Sequence, residues 1–173
     1  SPRPPGERSD VADLIVIEEL QDYLVAQGIG NLPSAAPSTS VPRIYLKGRD
    51  GARLPDIPDE TTTIVLSDTM LAPAASLAAF LEEAFVDITV RSTSAGTAKL
   101  THRAIRNLLH PNAAHGGRKQ WTMSDLLVQY STIWRGEQEL PPPPGSADSR
   151  SDVRTYDRVA SYRIGCARSS LVV

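Results

Sequence analysis

The stretch from residue 86 to residue 111 constrains the fold of this chain more than any other part of the sequence. Apolar and polar residues alternate over 86–91, which predicts a strand with one buried and one solvated face. The run that follows carries two neighbouring rows of mostly apolar residues at helical spacing, and a stripe of that width predicts a helix lying on a sheet. The two rows are Leu100, Ala104 and Leu108, and Thr101, Ile105 and Leu109.

The ends of this predicted helix are marked by residues with clear physical roles. Ser94 is placed to act as the N-cap, because its hydroxyl can accept a hydrogen bond from an unpaired amide of the first turn. Pro111 ends the helix, since proline lacks an N–H and crowds the preceding turn. The sequence therefore predicts a strand-loop-helix unit with defined boundaries.

Length and composition indicate a single folded domain. The chain has 173 residues, of which 40% are hydrophobic, enough for a core built mainly from aliphatic side chains. The formal net charge of −2 argues against a protein whose whole surface binds nucleic acid, although it is compatible with a local basic strip. The single cysteine, Cys166, excludes an internal disulfide framework and a cysteine-rich metal site, and it fits a reducing compartment.

The sequence also predicts how the chain is organised outside its core. No window approaches the roughly 20 apolar residues that span a bilayer, and residues 1–6 lack the apolar segment of a signal peptide. We therefore expect a protein that stays inside the cell that makes it. Residues 1–9 hold three prolines and several charges, which predicts a flexible arm, followed by one domain over 10–173.

The predicted elements follow from apolar spacing and turn residues. A first helix is expected from a cap at Asp10 to a stop at Gly28, with Ile17, Leu20 and Leu24 on its apolar face. Strands are predicted over 41–47, 62–67, 86–91, 126–135 and 156–168. Residues 72–84 fit either a short helix or a surface loop. Long loops are expected at 48–60 and at 140–152, where four consecutive prolines occur.

This order of elements defines the predicted fold class. Consecutive strands near each end suit antiparallel pairing, while the helix between the third and fourth predicted strands suits a crossover. We therefore expect an α+β domain in which a mixed or antiparallel β-sheet packs against two main helices, with extended loops and a terminal arm.

No catalytic, cofactor-binding or metal-ligating residues are predicted. His102 and His110 stand eight positions apart on the helix, about 12 Å along its axis. No cysteine or closely spaced carboxylate joins them as a third metal ligand. Solvent-facing histidines are the interpretation we prefer. Ser67 lies outside any nucleophile-elbow motif, and the Gly28 to Gly30 and Gly116 to Gly117 pairs do not form a phosphate-binding loop.

The polar face of the central helix carries a basic strip, and this is the one candidate binding surface in the sequence. Such a strip is suited to contact nucleic acid or an acidic partner, and it would matter most if copies of the chain surrounded a channel. The strip consists of Lys99, His102, Arg103, Arg106 and His110.

The ordered pattern of elements resembles the tail terminator, or tail-completion, proteins of long-tailed bacteriophages, a family with relatives often labelled minor capsid proteins. The resemblance rests on the capped first helix, the strands at 44–46 and 64–68, the unit of 86–91 with 98–110, and the strands at 126–135 and 156–164. It covers approximately residues 10–168. The N-terminal arm, the 48–60 loop and the proline run have no counterpart in the family pattern.

The resemblance implies a structural virion protein, not an enzyme, with no cofactor. Its copies would form a homo-hexameric ring that caps the tail tube, stops tube polymerisation and meets the head-tail connector on the opposite side. The ring would be assembled in the host cytoplasm, would lie at the head-tail junction and would let genomic DNA pass without sequence specificity. A neck or head-closure protein is the close alternative. A small soluble enzyme such as a hydrolase is a more distant one.

Overall fold

The computed structural model describes residues 15–48, 61–73, 81–110, 121, 127–141 and 155–168. Over these residues the predicted order of helices and strands is confirmed, and the fold is α+β. The elements in chain order are α1 (Ile15–Ala26), β1 (Arg43–Leu46), β2 (Thr62–Pro73), β3 (Leu81–Ser92), α2 (Ala95–Leu109), β4 (Leu127–Leu140) and β5 (Tyr156–Arg168).

The five strands form one mixed sheet in the order β1-β2-β3-β5-β4. Strands β1 and β2 are parallel, and the other neighbouring pairs are antiparallel. Strand β3 lies at the centre, where Ile88 is opposite Leu66 on one side and Ala160 on the other. Of the two sheet types expected from the sequence, the mixed one is observed.

Both helices cover the same face of this sheet, which we call the helix-covered face. Helix α1 packs on β1 and β2, whereas α2 packs on β3, β5 and β4. The predicted alternation in β3 is confirmed, because Val86, Ile88 and Val90 are fully buried in the core. The other fully buried aliphatic residues of this core include Ile17, Leu20, Leu24, Ile44, Leu46, Ile64, Leu66, Ile105, Leu109 and Ile164.

The predicted helix boundaries are confirmed where the structure describes them. Ser94 is the N-cap of α2, and its Oγ accepts a hydrogen bond from the amide of Thr97 at 3.2 Å. Gly28 ends α1 with a φ of +80°, a left-handed conformation that glycine adopts without steric cost. The predicted cap at Asp10 and the stop at Pro111 lie outside the described residues.

The buried face of α2 is rotated from the predicted one. Ala98, His102, Ile105 and Leu109 are its buried residues, whereas Leu100, expected in the apolar stripe, is 64% exposed. The prediction of a buried Leu100 is therefore wrong. The reason is that His102 occupies the buried position and is satisfied there by a backbone carbonyl of the sheet, which hydrophobic spacing alone does not reveal.

Two strand predictions also require correction. Strand β2 continues to Pro73 and β3 begins at Leu81, so the helix or loop expected over 72–84 is wrong at both of its ends, while 74–80 lies outside the described residues. Strand β4 continues beyond the predicted end at 135 and contains a register shift between Trp134 and Gly136. Such a bulge inserts an extra residue and breaks simple alternation, which is why the sequence pattern ended too early.

Three predicted segments remain predictions because they lie largely or wholly outside the described residues. These are the arm at 1–9, the polar loop at 48–60, of which the structure describes Gly48, and the proline-rich loop at 140–152, of which it describes Leu140 and Pro141. His115 and the Gly116 to Gly117 pair also lie outside the described part of the chain.

The two outer edges of the sheet differ. At the β1 edge, Gln21 Nε2 donates to the carbonyl of Ile44 at 2.5 Å, and the Ile44 amide donates to the carbonyl of Asn31 at 2.8 Å. The outer edge of β4 pairs with no other strand that the structure describes. The chain itself therefore closes one edge, and the described part of the chain provides no strand for the other.

The rotated face of α2 can be tested with a matched pair of substitutions. Ile105→Ala should lower the free energy of unfolding by about 2–5 kcal/mol, because it leaves a cavity in the core. Leu100→Ala should change it by less than about 0.5 kcal/mol, because the side chain is exposed. Chemical denaturation of both variants measures the difference, and equal losses would contradict the orientation of α2.

Candidate functional site

A groove of about 600 Å³ runs between α2 and the strands β4 and β5. Helix α2 supplies one wall, β4 supplies an aromatic and an acidic side chain, and β5 supplies a further cation. The lining residues are Gly96, Lys99, Leu100, Arg103, Arg106, Trp134, Glu137 and Arg158.

Glu137 connects the three elements that form the groove. One carboxylate oxygen lies 3.4 Å from Nη1 of Arg106 on α2, and the other accepts a hydrogen bond from Nε of Arg158 on β5. The register shift before Gly136 brings Glu137 opposite the buried Ala160, so the carboxylate lies on the helix-covered face. These ion pairs link β4 to α2 and β5 and form the wall of the groove that faces α2.

Trp134 contacts Arg106 on α2 and His110, the residue that follows α2. The guanidinium carbon of Arg106 lies 4.4 Å from the centre of the Trp134 ring, within the range of a cation-π interaction. The backbone amide of Trp134 donates to Nδ1 of His110 at 2.9 Å. The predicted strip residue His110 thus serves as a hydrogen-bond acceptor at the edge of β4.

His102 lies beneath the groove in the core and is not part of its exposed surface. The side chain is fully buried, and Nε2 donates to the carbonyl of Arg158 at 2.7 Å. Its Nδ1 is buried and has no hydrogen-bond partner among the described residues. Burial lowers the pKa of His102, and the charges of Arg158 and Arg106 lower it further, against opposing contributions from the Arg158 carbonyl and Glu137.

A second buried polar group lies in the core. Tyr162 on β5 is fully buried, and its hydroxyl has no hydrogen-bond partner in the part of the chain that the structure describes. Burial raises the pKa of this hydroxyl well above its usual value. Both groups are therefore held in their neutral forms, so the charge of the site resides on its arginine, lysine and glutamate side chains.

The structure brings together part of the predicted basic strip. Lys99 and Arg103 are exposed, and Arg106 and His110 are partly buried. The expectation that His102 faces solvent is wrong, because that position on α2 points into the core. Lys99, Arg103 and Arg106 line the groove together.

The remaining groove residues were missed by sequence reasoning. Arg158 could have been found, because it stands two and four positions before Ala160 and Tyr162, and the period of a strand puts all three on one face. Glu137 gave no such signal, since its side depends on the register shift in β4. Leu100 was assigned to the core.

The groove is suited to binding and offers charged hydrogen-bond donors beside an apolar surface. Among the described residues, no group of three or more His, Cys, Asp or Glu side chains is placed to hold a metal ion. Cys166, the single cysteine of the chain, is buried. None of the helices in the described part of the chain is long and apolar enough to cross a membrane.

Comparison of the chain with protein-family models and with curated proteins found no match to either. The fold, the groove and the sequence resemblance are therefore the basis for a functional proposal.

The buried His102 makes stability depend on pH. Because its pKa is lower in the folded protein than the value of about 6.5 in the unfolded chain, the unfolded state binds more protons in mildly acidic solution. The stabilisation is complete above about pH 6.5 and declines as the pH falls below it, by at most about 1.4 kcal/mol per pH unit.

The substitution His102→Gln removes this titration while an amide can still donate to the Arg158 carbonyl. We expect the unfolding free energy of the variant to fall less steeply with acidification than that of the unsubstituted protein. Denaturant titrations on either side of about pH 6.5 measure both slopes. Identical slopes would contradict a neutral, buried His102.

Proposed function

We propose that this protein is a structural subunit of a bacteriophage virion, a tail terminator that forms a hexameric ring on the tail tube. The observation that supports this most is the element order α1-β1-β2-β3-α2-β4-β5 within a single sheet. This is the order on which the resemblance to tail terminators rests.

The unequal edges of the sheet suit assembly into a ring. A cyclic ring repeats one head-to-tail contact, so each subunit must present two different surfaces. Here the β1 edge is closed by Asn31 and Gln21, whereas no described strand covers the β4 edge. An unpaired edge can accept backbone hydrogen bonds from a neighbouring chain. The two edges of the sheet therefore provide different surfaces for a head-to-tail contact.

In this role the ring caps the last ring of tail tube protein and stops polymerisation of the tube. Its opposite surface engages the head-tail connector, and genomic DNA passes through the central channel. The exposed cations Lys99 and Arg103 face either that channel or a protein partner. The protein is assembled in the host cytoplasm and resides at the head-tail junction.

Deletion of the gene from its phage tests the proposal directly. Loss of a terminator removes the stop to tube growth, so lysates should contain overlong tail polymers when viewed by electron microscopy. Expression of the intact gene from a plasmid should restore normal tail length. Tails of normal length that fail to attach to heads would contradict a terminator and favour a neck or head-closure protein.

A further inference from the structure

We infer that the groove between α2 and β4 is a docking site for a protein segment that presents acidic side chains beside an apolar one. The segment belongs to a different protein of the virion, and only this assignment rests on the proposed function. A basic strip alone suits either nucleic acid or an acidic partner; the groove favours the acidic partner and also requires an apolar side chain beside the acidic ones.

The charges of the groove are not balanced within the described chain. Among the described residues that line the groove, Glu137 is the one acidic residue, and it is engaged by Arg106 and Arg158. Lys99 and Arg103 form no ion pair with another described residue, and both are exposed. They are four positions apart on α2, a spacing at which like charges destabilise a helix. A carboxylate placed between them would remove this repulsion.

Arg106 can contribute to the same docking site. Its contact with Glu137 is long, at 3.4 Å, and a guanidinium carries five N–H donors in a planar fork. Donors that Glu137 does not use can bind a second carboxylate, for which the fork geometry is well suited. The cations of α2 thus form a row along one wall of the groove.

An apolar side chain stands within this row. Leu100 is 64% exposed and is the one exposed large hydrophobic residue among those whose side-chain burial the structure describes. The Trp134 ring lines the groove with it. Removing such a surface from water is favourable, so a partner that covers Leu100 gains stability that a purely ionic partner does not.

These features favour a protein segment over nucleic acid. Leu100 offers no hydrogen bond to a phosphate backbone, which is contacted mainly by cationic and polar groups. A segment with acidic and apolar side chains satisfies both the cations and the leucine.

Fluorescence anisotropy with purified protein tests the inference. The probe is a labelled synthetic peptide of alternating glutamate and leucine, and the matched peptide replaces glutamate with glutamine. We expect the glutamate peptide to bind more tightly. The double variant Lys99→Glu, Arg103→Glu should bind it at least about tenfold more weakly, and Leu100→Ser about fivefold more weakly. Lys47 is an exposed residue that directly follows β1, at the sheet edge opposite β4. The control substitution Lys47→Glu should change affinity less than about twofold.

All the substituted residues are exposed, and circular dichroism with thermal unfolding verifies that each variant is folded. Three results would overturn the inference: no binding of the glutamate peptide, equal affinity for the groove variants and the unsubstituted protein, or tighter binding of a short DNA duplex than of the peptide. The experiment uses neither tails nor phage. Its failure is therefore distinguishable from a deletion phenotype that rejects the tail terminator.

Discussion

The structure depends on a central strand that is paired on both sides and apolar on one face. Strand β3 is paired with β5 along its whole length and with β2 from Glu82 to Ser92, so the position of its C-terminal end is fixed by both neighbours. Ser92, the last residue of β3, shares a hydrogen bond of 3.0 Å between its Oγ and Thr62 Oγ1, and the same Oγ accepts from the Ser94 amide at 3.1 Å. The start of α2 is therefore tied to the sheet.

This attachment determines where the groove forms. Because α2 begins three residues after β3 ends, the helix must lie back over β3, β5 and β4. Its buried residues then fix the rotation that turns Lys99, Leu100 and Arg103 outward. Glu137 completes the site by joining Arg106 of α2 to Arg158 of β5. A partly exposed ion-pair cluster of this kind contributes modestly to stability, and its main effect is to position the groove.

Much of this fold could be predicted from spacing and cap residues alone. Strand β5 has the predicted bounds, and Ala160, Tyr162, Ile164 and Cys166 are buried at the alternating positions of a strand. The Ser94 cap and the alternation of β3 are equally local features. Such patterns succeed where one element determines its own boundaries and buried face.

The failures arise where a distant residue decides the outcome. His102 is tolerated in the core because the Arg158 carbonyl, 56 positions away, accepts its hydrogen bond. Once His102 faces inward, helical geometry turns Leu100 toward solvent. The three α2 cations of the groove could be grouped from the sequence, but Glu137 joins them only through the bulge in β4. Tertiary hydrogen bonds and bulges leave no periodic signal in a single sequence.

The proposed function requires copies of this chain to assemble into a closed ring, and the mass of the assembled species distinguishes such a ring from a monomer. Native mass spectrometry of the purified protein, with crosslinking of the protein on isolated tail tubes, measures that mass in both settings. A hexamer on the tube is expected, with a mass six times the subunit mass of 18.7 kDa. A stable monomer, both free and on tail tubes, would contradict it.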